Sequence, residues 1–313
     1  MTYDVGKVLV VGMDGLRYDR LTRSPSTAPV LHGLMAAGTH GTSLLPYGEV
    51  DGRAEDGPSS SMAYTDSGPG WSSVLTGVWP DRHGVRGNDF TGAEYVRHPD
   101  FLTLAVTARP CLRTAAVVSW PELVRRGTLG PAIGRRVRFD GESDGYATAD
   151  RLVARTAVRW LTEDDPDALF VYFGATDEAA HATGPFSLAY DQALLTQDTH
   201  LGWLLEAIEG RRRDRADERW TVLVTTDHGH LDAGGHGGDT RAEREVFVVL
   251  AEHGGIGGGT RLDTPRLIDI APTVLDRLGI PVDPAWNLPG RVLPRQSGHG
   301  SASPVSAPTP EWS

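Results

Sequence analysis

Most of this chain alternates between continuous apolar runs and amphipathic segments. Val8–Met13 (VLVVGM) and Ala168–Phe173 (ALFVYF) are continuous runs rich in β-branched and aromatic residues, a pattern typical of strands covered on both faces. Similar runs predict three more strands, at Thr114–Trp120, Thr221–Thr225 and Val246–Leu250. Apolar residues spaced along one helical face predict four helices, at Pro29–Ala37, Ala147–Leu161, Ser187–Ile208 and Leu267–Leu278. Strands that alternate with helices predict an α/β fold, a three-layer α/β/α sandwich around a mostly parallel sheet.

Three stretches depart from this alternation. Gly48–Ser61 is polar and rich in Gly, Ser and acidic residues, which predicts a loop that is either a lid over a site or simply solvated. Residues 127–146 have little periodicity and many Gly and Arg, so we predict a small cap or excursion within residues 88–147. From about Gln296 the chain is rich in Ser, Pro and Gly. We therefore predict one folded domain over residues 1–295 and a disordered tail over residues 296–313.

Charge and cysteine content exclude several classes of protein. The net charge is −11, and no Lys/Arg run is long enough to follow a nucleic-acid backbone, so a nucleic-acid polymer is not an expected partner. Cys111 is the single cysteine and lies near a predicted strand, which predicts a core position and no intramolecular disulfide. No apolar stretch approaches the roughly 20 residues that span a bilayer. The expectation is a cytoplasmic protein without a membrane anchor.

Acidic residues follow three of the predicted strands. Asp14 comes after VLVVGM, Asp177 after ALFVYF and Asp227 after TVLVT. Ligands of open α/β sheets bind beyond the carboxyl ends of the strands, so the three carboxylates are expected to converge on one edge of the sheet. A site at this edge is the main functional prediction from the residues themselves.

Histidines accompany two of these aspartates. His181 stands four residues after Asp177, a spacing that places both on one face of a helix. His228 follows Asp227 directly, and His236 comes after a glycine-rich turn. Aspartate oxygens and imidazole nitrogens suit Zn²⁺, with Mn²⁺ as the alternative. Together these side chains are about what two divalent cations need if each keeps an open position.

Ser67 is the candidate nucleophile of such a site. Residues 68–70 (GPG) predict a turn, and Trp71–Val78 predicts a helix whose N-terminus points free N–H groups at an anion. Metal coordination is one way to activate a serine hydroxyl. The alternative for Ser67 is a helix cap. His83 and His230 are interpreted as structural, with His230 as a spare ligand.

The combined motifs resemble the alkaline phosphatase superfamily, and within it the type I phosphodiesterase/nucleotide pyrophosphatase family. The matching segments are VVGMDGLRYD, SGPGWSSVLTGVWPDRHGV, DEAAHATGP, TTDHGH, GGHGG and DIAPTVLDRLGIPV. They occur in the order typical of the family, from about Val8 to Val282. The resemblance implies an alkaline-phosphatase-like fold, with residues 1–295 as the catalytic domain.

The resemblance also implies a role for each site residue. One metal would be held by the nucleophile Ser67 together with Asp14, Asp227 and His228. The other metal would be held by Asp177, His181 and His236. Thr65 is the rival hydroxyl, but it stands two residues too early.

Two departures from the family pattern concern the substrate. Relatives carry an Asn that contacts the phosphoryl oxygen where this chain has Gly70, so Asn88 or backbone N–H groups near Gly70 become the candidates for substrate binding. Trp71 stands where the sulfatase motif requires Arg, which disfavours sulfatase activity.

The implied function is a metal-dependent phosphodiesterase/nucleotide pyrophosphatase-type hydrolase that forms a covalent phospho- or nucleotidyl-serine. A phosphomonoesterase or phosphonate hydrolase is the alternative within the superfamily, and an inactive metal-binding scaffold is the alternative outside enzymes. A mutase is disfavoured because the chain is too short for the large inserted domain of such relatives. The expected partner is a small phosphoester or nucleotide.

Overall fold

The computed structural model describes residues 5–47, 63–252 and 259–296. The predicted loop Gly48–Ser61 and the predicted tail after Gln296 lie outside the described residues. The strands in these ranges are β1 (Val5–Met13), β2 (Thr39–Leu44), β3 (Thr114–Val118), β4 (Arg135–Arg138), β5 (Ala168–Phe173), β6 (Glu218–Thr225), β7 (Glu245–Glu252) and β8 (Thr260–Arg261).

Twelve α-helices connect these strands within the same ranges. They are α1 (Tyr18–Thr22), α2 (Pro29–Ala37), α3 (Ser67–Thr76), α4 (Pro80–His83), α5 (Phe101–Ala108), α6 (Glu122–Arg125), α7 (Gly141–Asp144), α8 (Tyr146–Arg159), α9 (Ala175–Thr183), α10 (Leu188–Arg212), α11 (Arg241–Arg244) and α12 (Ile270–Arg277). A π-helical turn follows α8 at Trp160–Asp164, and 3₁₀ turns occur at Leu267–Asp269 and Pro284–Trp286.

The strands of the described ranges form one sheet in the order β4-β3-β5-β1-β6-β7-β2-β8. β7 runs antiparallel to its neighbours β6 and β2, whereas the other pairs are parallel. The carboxyl ends of β5, β1 and β6 therefore lie side by side at one edge of the sheet. This topology confirms the predicted mostly parallel sheet.

Side chains of β1 point alternately into two apolar layers. Val8 and Val10 belong to one buried cluster, which includes apolar residues of α3, α5 and α12. Leu9, Val11 and Met13 belong to the other, which includes residues of α2, α8 and α10. Because both faces of the sheet are covered by helices, its central strands must be apolar throughout. The predicted three-layer α/β/α sandwich is confirmed.

Three strands of the described residues, β2, β4 and the two-residue β8, carry no apolar run and were not predicted. β4 consists of Arg135, Arg136, Val137 and Arg138, and it pairs with β3 at the edge of the sheet. Residues 127–146, interpreted from the sequence as an excursion, thus return to the sheet and extend it. β2 (THGTSL) lies between β7 and β8 and buries small polar residues, so its pattern lacks the hydrophobic signal of a strand.

Helix α3 begins at Ser67, one turn earlier than the predicted Trp71. Gly68, Pro69 and Gly70 form its first turn and are not a separate turn before it. Proline is tolerated there because first-turn N–H groups have no partner within the helix. Asp66 occupies the capping position, so Ser67 is the first helical residue and not the cap.

The prediction of a core position for Cys111 is wrong. Its side chain is exposed, in the turn between the end of α5 and the start of β3. The apolar run that follows begins three residues later, so proximity to a strand did not imply burial.

The long helix α10 is amphipathic and packs against α2, α8 and α9. Leu194, Leu201 and Leu204 are fully buried, whereas Gln192 and Thr199 on the opposite face are exposed. No helix in the described ranges is both long and apolar enough to cross a bilayer.

Asp150 of α8 anchors the start of α9. Its Oδ1 accepts a hydrogen bond from the Gly174 N–H at 3.0 Å, and its Oδ2 accepts from the Ala175 N–H and from Gln197 Nε2, each at 3.0 Å. Burial raises the pKa of Asp150 to about 6, against the opposing effect of hydrogen bonds from Ser119 and these donors. The network holds the first turn of α9 in place at the carboxyl end of β5.

Replacing Asp150 with Ala leaves these donors buried without an acceptor. We expect a loss of about 2–4 kcal/mol in the free energy of unfolding, measured by denaturant titration. Because the folded-state pKa of Asp150 is raised, its ionisation disfavours the fold, so the deficit is largest below about pH 4 and shrinks as the pH rises through about 6. Asp144→Ala, at an exposed aspartate of α7, is the control. Equal stabilities of the two variants would contradict this role.

Candidate active site

Three loops meet at the carboxyl ends of β1, β5 and β6. Asp14 directly follows β1, Asp227 follows β6 by two residues, and Asp177 lies in the first turn of α9 after β5. The loops are joined by hydrogen bonds, from the Gly15 N–H to Asp227 Oδ1 at 3.3 Å and from the Leu16 N–H to the Thr226 hydroxyl at 3.0 Å. The topology thus brings together the three aspartates named from the sequence.

Asp14, Asp227 and His228 form a first group, the inner set. His228 Nε2 lies 3.5 Å from Asp14 Oδ1 and 3.4 Å from Asp227 Oδ2. His228 Nδ1 lies 2.9 Å from the Gly229 carbonyl oxygen, and donation of its proton there leaves the Nε2 lone pair free. Asp227 Oδ2 is buried without a hydrogen-bond partner in the described residues. All three side chains are at most 1% exposed.

Asp177, His181 and His236 form a second group, the outer set. His181 Nε2 lies 3.5 Å from Asp177 Oδ2, and His236 Nε2 lies 3.7 Å from Asp177 Oδ1. The two Nε2 atoms are 3.0 Å apart. His236 Nδ1 lies 2.7 Å from the Thr65 carbonyl oxygen, a contact that directs the lone pair of Nε2 toward the set. The His181 side chain is 43% exposed, so this set is open to solvent.

The two other histidines named from the sequence, His83 and His230, differ in position. His230 is buried at the junction of the sets, where its Nε2 donates to Asp177 Oδ1 at 2.8 Å. Its ligand atom also lies within 4.8 Å of those of Asp177 and His228, which keeps it a spare ligand. His83 contacts the Ser73 hydroxyl at 3.1 Å and belongs to the packing below α3.

The aspartates of the two sets repel one another. Burial and the nearby charges of Asp14 and Asp177 raise the pKa of Asp227 well above its ordinary value. Burial and the Asp177 charge raise the pKa of Asp14 to about 6. Burial, with its histidine neighbours, lowers the pKa of His228 well below its ordinary value. Crowded carboxylates beside the neutral imidazole of His228 are the electrostatic setting that a divalent cation stabilises.

These residues fit two divalent cations. Each set offers three ligand atoms within 4.8 Å of one another. Asp227 Oδ2 has no hydrogen-bond partner in the described residues, and the Nε2 atoms of His181 and His236 face each other at 3.0 Å, so these three atoms are placed as metal ligands. The mixed oxygen and nitrogen ligands suit Zn²⁺ or Mn²⁺.

The Ser67 hydroxyl faces the inner set. Its Oγ lies 3.2 Å from His228 Nε2 and 3.4 Å from Asp14 Oδ1. The rival hydroxyl of Thr65 is fully buried, donating to the Gly238 carbonyl at 2.8 Å and accepting from the Gly237 N–H at 3.0 Å. Thr65 therefore shapes the turn that carries His236 and is not presented to a substrate.

Gly70 and Asn88 were named as candidate substrate contacts. A Cβ on Gly70 would lie 2.7 Å from the Asp227 Cβ, and the Gly70 N–H donates to the Asp66 carbonyl. Gly70 thus allows α3 to pack against the inner set. Asn88 lines the cavity beside Ser67, and its Oδ1 accepts from the Gly68 N–H at 2.7 Å. The Asn88 amide nitrogen is left to donate elsewhere.

A cavity of about 380 Å³ opens beside Ser67 and the outer set. Its far wall is built by one contiguous part of the chain, with Asn88, Trp120, Glu122, Arg126, Glu142 and Tyr146. The Tyr146 ring is held between Gly141 and Gly174, where a Cβ on either glycine would fall 2.4 Å from it. Asn88 was named from the sequence, but spacing did not indicate the other wall residues, which lie at Trp120, in or beside the short helices α6 and α7, and at the start of α8.

Two further residues that the sequence did not indicate contact Asp14. Trp71 Nε1 and the Tyr172 hydroxyl both donate to Asp14 Oδ2. The sequence feature that could have indicated Tyr172 is its hydroxyl, a polar group within the otherwise apolar run ALFVYF.

Comparison with known sequences finds relatives of two kinds. The family model described as type I phosphodiesterase / nucleotide pyrophosphatase matches residues 55–242. Human ectonucleotide pyrophosphatase/phosphodiesterase family member 7 is 25% identical over 255 residues, 74% of this chain and 50% of that protein. The 2,3-bisphosphoglycerate-independent phosphoglycerate mutase of Haloarcula marismortui is 34% identical over 164 residues, 47% of this chain and 30% of that protein. The chain spans half or less of the length of these curated relatives.

Solved structures share the fold. Murine ectonucleotide pyrophosphatase / phosphodiesterase 5 superposes with a TM-score of 0.62 at 15% identity, over 89% of this chain and 96% of that one. A 2-O GAG sulfatase gives a TM-score of 0.66 at 14% identity, over 92% and 73%. At such identities the likeness establishes the architecture alone.

Asp227→Asn tests the electrostatic description of the inner set. Removing one of the crowded charges should raise the Tm of the metal-free protein by at least about 2 °C near neutral pH. The same variant should lose most of the stabilisation that Zn²⁺ or Mn²⁺ confers on the unmodified protein, because one ligand is missing. Calorimetry with and without metal measures both effects. Asp239→Asn, at an exposed aspartate, is the control, and a lower metal-free Tm for Asp227→Asn would contradict the description.

Proposed function

This chain belongs to the type I phosphodiesterase/nucleotide pyrophosphatase family, and from that premise we propose that it hydrolyses phosphodiester or pyrophosphate bonds through a covalent phospho- or nucleotidyl-Ser67. The family predicted from the sequence motifs is confirmed. The observation that carries the proposal is the position of the Ser67 Oγ, within 3.4 Å of both Asp14 Oδ1 and His228 Nε2.

The two ligand sets support a metal-dependent reaction. The inner set with Ser67 would hold one cation and the outer set the other, with Zn²⁺ the first choice and Mn²⁺ the alternative. When bound, the cations would supply positive charge that lowers the pKa of the Ser67 hydroxyl and stabilises phosphoryl oxygens.

The reaction has two steps. Ser67 Oγ attacks phosphorus, so that an Oγ–P bond forms and the bond to the leaving-group oxygen breaks. Water then attacks the same phosphorus and releases Ser67. Two in-line displacements retain the configuration at phosphorus.

Phosphoryl oxygens would be bound at the start of α3. The positive end of the α3 dipole lies there and favours an anion, although the Gly68 and Gly70 N–H groups already donate to Asn88 Oδ1 and to the Asp66 carbonyl and Pro69 has no N–H. Because Asn88 Oδ1 accepts from the Gly68 N–H, the Asn88 amide nitrogen would donate to a phosphoryl oxygen. Asn88, and not Gly70, is therefore the proposed substrate contact.

The size of the cavity favours a diester over a monoester. A volume of about 380 Å³ extends past Ser67 to Trp120 and Tyr146, which leaves room for a second substituent on phosphorus. The substrate is a small phosphodiester or nucleotide, and no nucleic-acid polymer or membrane is part of the proposal. A cytoplasmic location stays a prediction from the single cysteine.

Ser67→Ala should lower kcat on bis-nitrophenyl phosphate at least about 10³-fold, with metal content near that of the unmodified protein. Ser73→Ala, one helical turn and a half along α3 and bonded to the Pro69 carbonyl, is the matched control. Thr65→Ala should perturb the His236 turn and reduce metal binding. If Thr65→Ala abolishes turnover with metal intact while Ser67→Ala does not, the nucleophile is misassigned.

A substrate panel tests the reaction class. Chelator treatment should abolish hydrolysis, and added Zn²⁺ or Mn²⁺ should restore it. Bis-nitrophenyl phosphate and a nitrophenyl nucleotide should be turned over faster than mononitrophenyl phosphate or a phosphonate. Preference for the last two would favour a phosphomonoesterase or phosphonate hydrolase, and no turnover of any would favour a metal-binding scaffold.

A further inference from the structure

The two carboxylate oxygens of Asp14 have different neighbours. Oδ1 faces the reacting groups, 3.4 Å from Ser67 Oγ and 3.5 Å from His228 Nε2. Oδ2 accepts two hydrogen bonds, one from Trp71 Nε1 at 2.8 Å and one from the Tyr172 hydroxyl. Two donors on one oxygen fix the rotation of the carboxylate and leave the other oxygen for a ligand role.

Both donors are rigidly packed. Trp71 is fully buried and Tyr172 is 2% exposed. Their rings meet edge to face with centroids 5.2 Å apart. The Trp71 ring rests on Gly12 of β1, where a Cβ would lie only 2.3 Å from the ring. Gly12, two residues before Asp14, therefore leaves the space that the Trp71 indole occupies when it donates to Asp14.

Both donors are also neutral. A tyrosine hydroxyl, with an ordinary pKa of about 10, keeps its proton at neutral pH. An indole N–H has no titratable proton in the physiological range. The pair thus orients Asp14 and leaves its negative charge available to a cation. An arginine at position 71 would instead neutralise that charge.

We propose that Trp71 and Tyr172 are positioning residues that hold Asp14 as a one-oxygen ligand and so set the affinity of the inner set for its cation. The inference rests on the metal sites of the proposed function. It assigns Trp71 a role at the position where a sulfatase motif has Arg. Hydrogen bonds to metal-binding side chains typically contribute about 10–100-fold to metal affinity.

The test is cation binding by the full chain, without substrate. Mn²⁺ and Zn²⁺ affinities are measured by competition with a chromophoric chelator and by the electron paramagnetic resonance signal of bound Mn²⁺. Trp71→Phe and Tyr172→Phe should each weaken one of two sites about 10–100-fold and leave the other unchanged. The weakened site should be the one that Asp227→Asn removes.

Two matched variants control for disturbance of the fold. Trp220→Phe removes an indole that donates to buried Glu218 at 2.8 Å, near the start of β6 and away from the site. Tyr95→Phe removes a hydroxyl bonded to Ser72 of α3 but not to Asp14. Both should retain the affinities of the unmodified protein.

The possible results separate this inference from the proposed function. An unmodified protein that binds neither cation overturns the metal sites and the inference with them. Two bound cations with affinities unchanged in Trp71→Phe and Tyr172→Phe overturn the positioning role alone. Equal weakening of both sites, matched by Trp220→Phe, also overturns it, because the effect is then one of general stability.

Discussion

The crowding of three carboxylates, those of Asp14 and Asp227 fully buried and that of Asp177 half-buried, is the constraint on which the rest of this structure depends. Asp14, Asp177 and Asp227 meet at one sheet edge, where burial raises the pKa of each and the charges of their cluster neighbours raise those of Asp14 and Asp227 further. Such a cluster is unfavourable in the folded chain unless positive charge enters it. Contacts with residues outside the cluster must therefore hold the three aspartates together in the folded chain.

These contacts are hydrogen bonds from uncharged donors, together with the strand pairing that brings the three loops side by side. Asp14 is held by Trp71 and Tyr172, while Asp177 receives a hydrogen bond from His230. None of these three contacts places a cationic side chain of Lys or Arg on the carboxylates. The restraint therefore preserves negative charge, at a cost in stability that is typical of functional sites.

The fold was largely readable from the sequence because its central strands are buried on both faces. The runs VLVVGM and ALFVYF carry that signal without ambiguity, and the latter has the predicted boundaries. β2 and β4 were not predicted because an edge strand or a polar strand is defined by its hydrogen bonds and not by a pattern of apolar side chains. Cys111 was misplaced for a related reason, since sequence distance to a strand does not measure depth.

Residues of the site were predictable where chemistry and strand position coincide. Asp14 and Asp227 stand at strand ends, and His181 follows Asp177 at helical spacing, so each had two independent signals. Trp71 and Tyr172 lie in segments that the sequence predicts to be buried, and only the Tyr172 hydroxyl distinguishes either of them there from the apolar neighbours. The start of α3 was misjudged because a Gly-Pro-Gly sequence usually breaks helices, whereas here it fills a first turn.

Reaction and recognition occupy separate parts of the chain. The ligand sets and Ser67 come from loops after three central strands and from α3, whereas the far wall of the cavity comes from residues 88–146 alone. A side chain at position 70 is excluded by contact with Asp227, so the first turn of α3 has little freedom to vary. Different side chains on the loops and short helices of residues 88–146 could therefore change what the cavity admits, while β3, which the same range contributes to the sheet, and the two ligand sets stay in place.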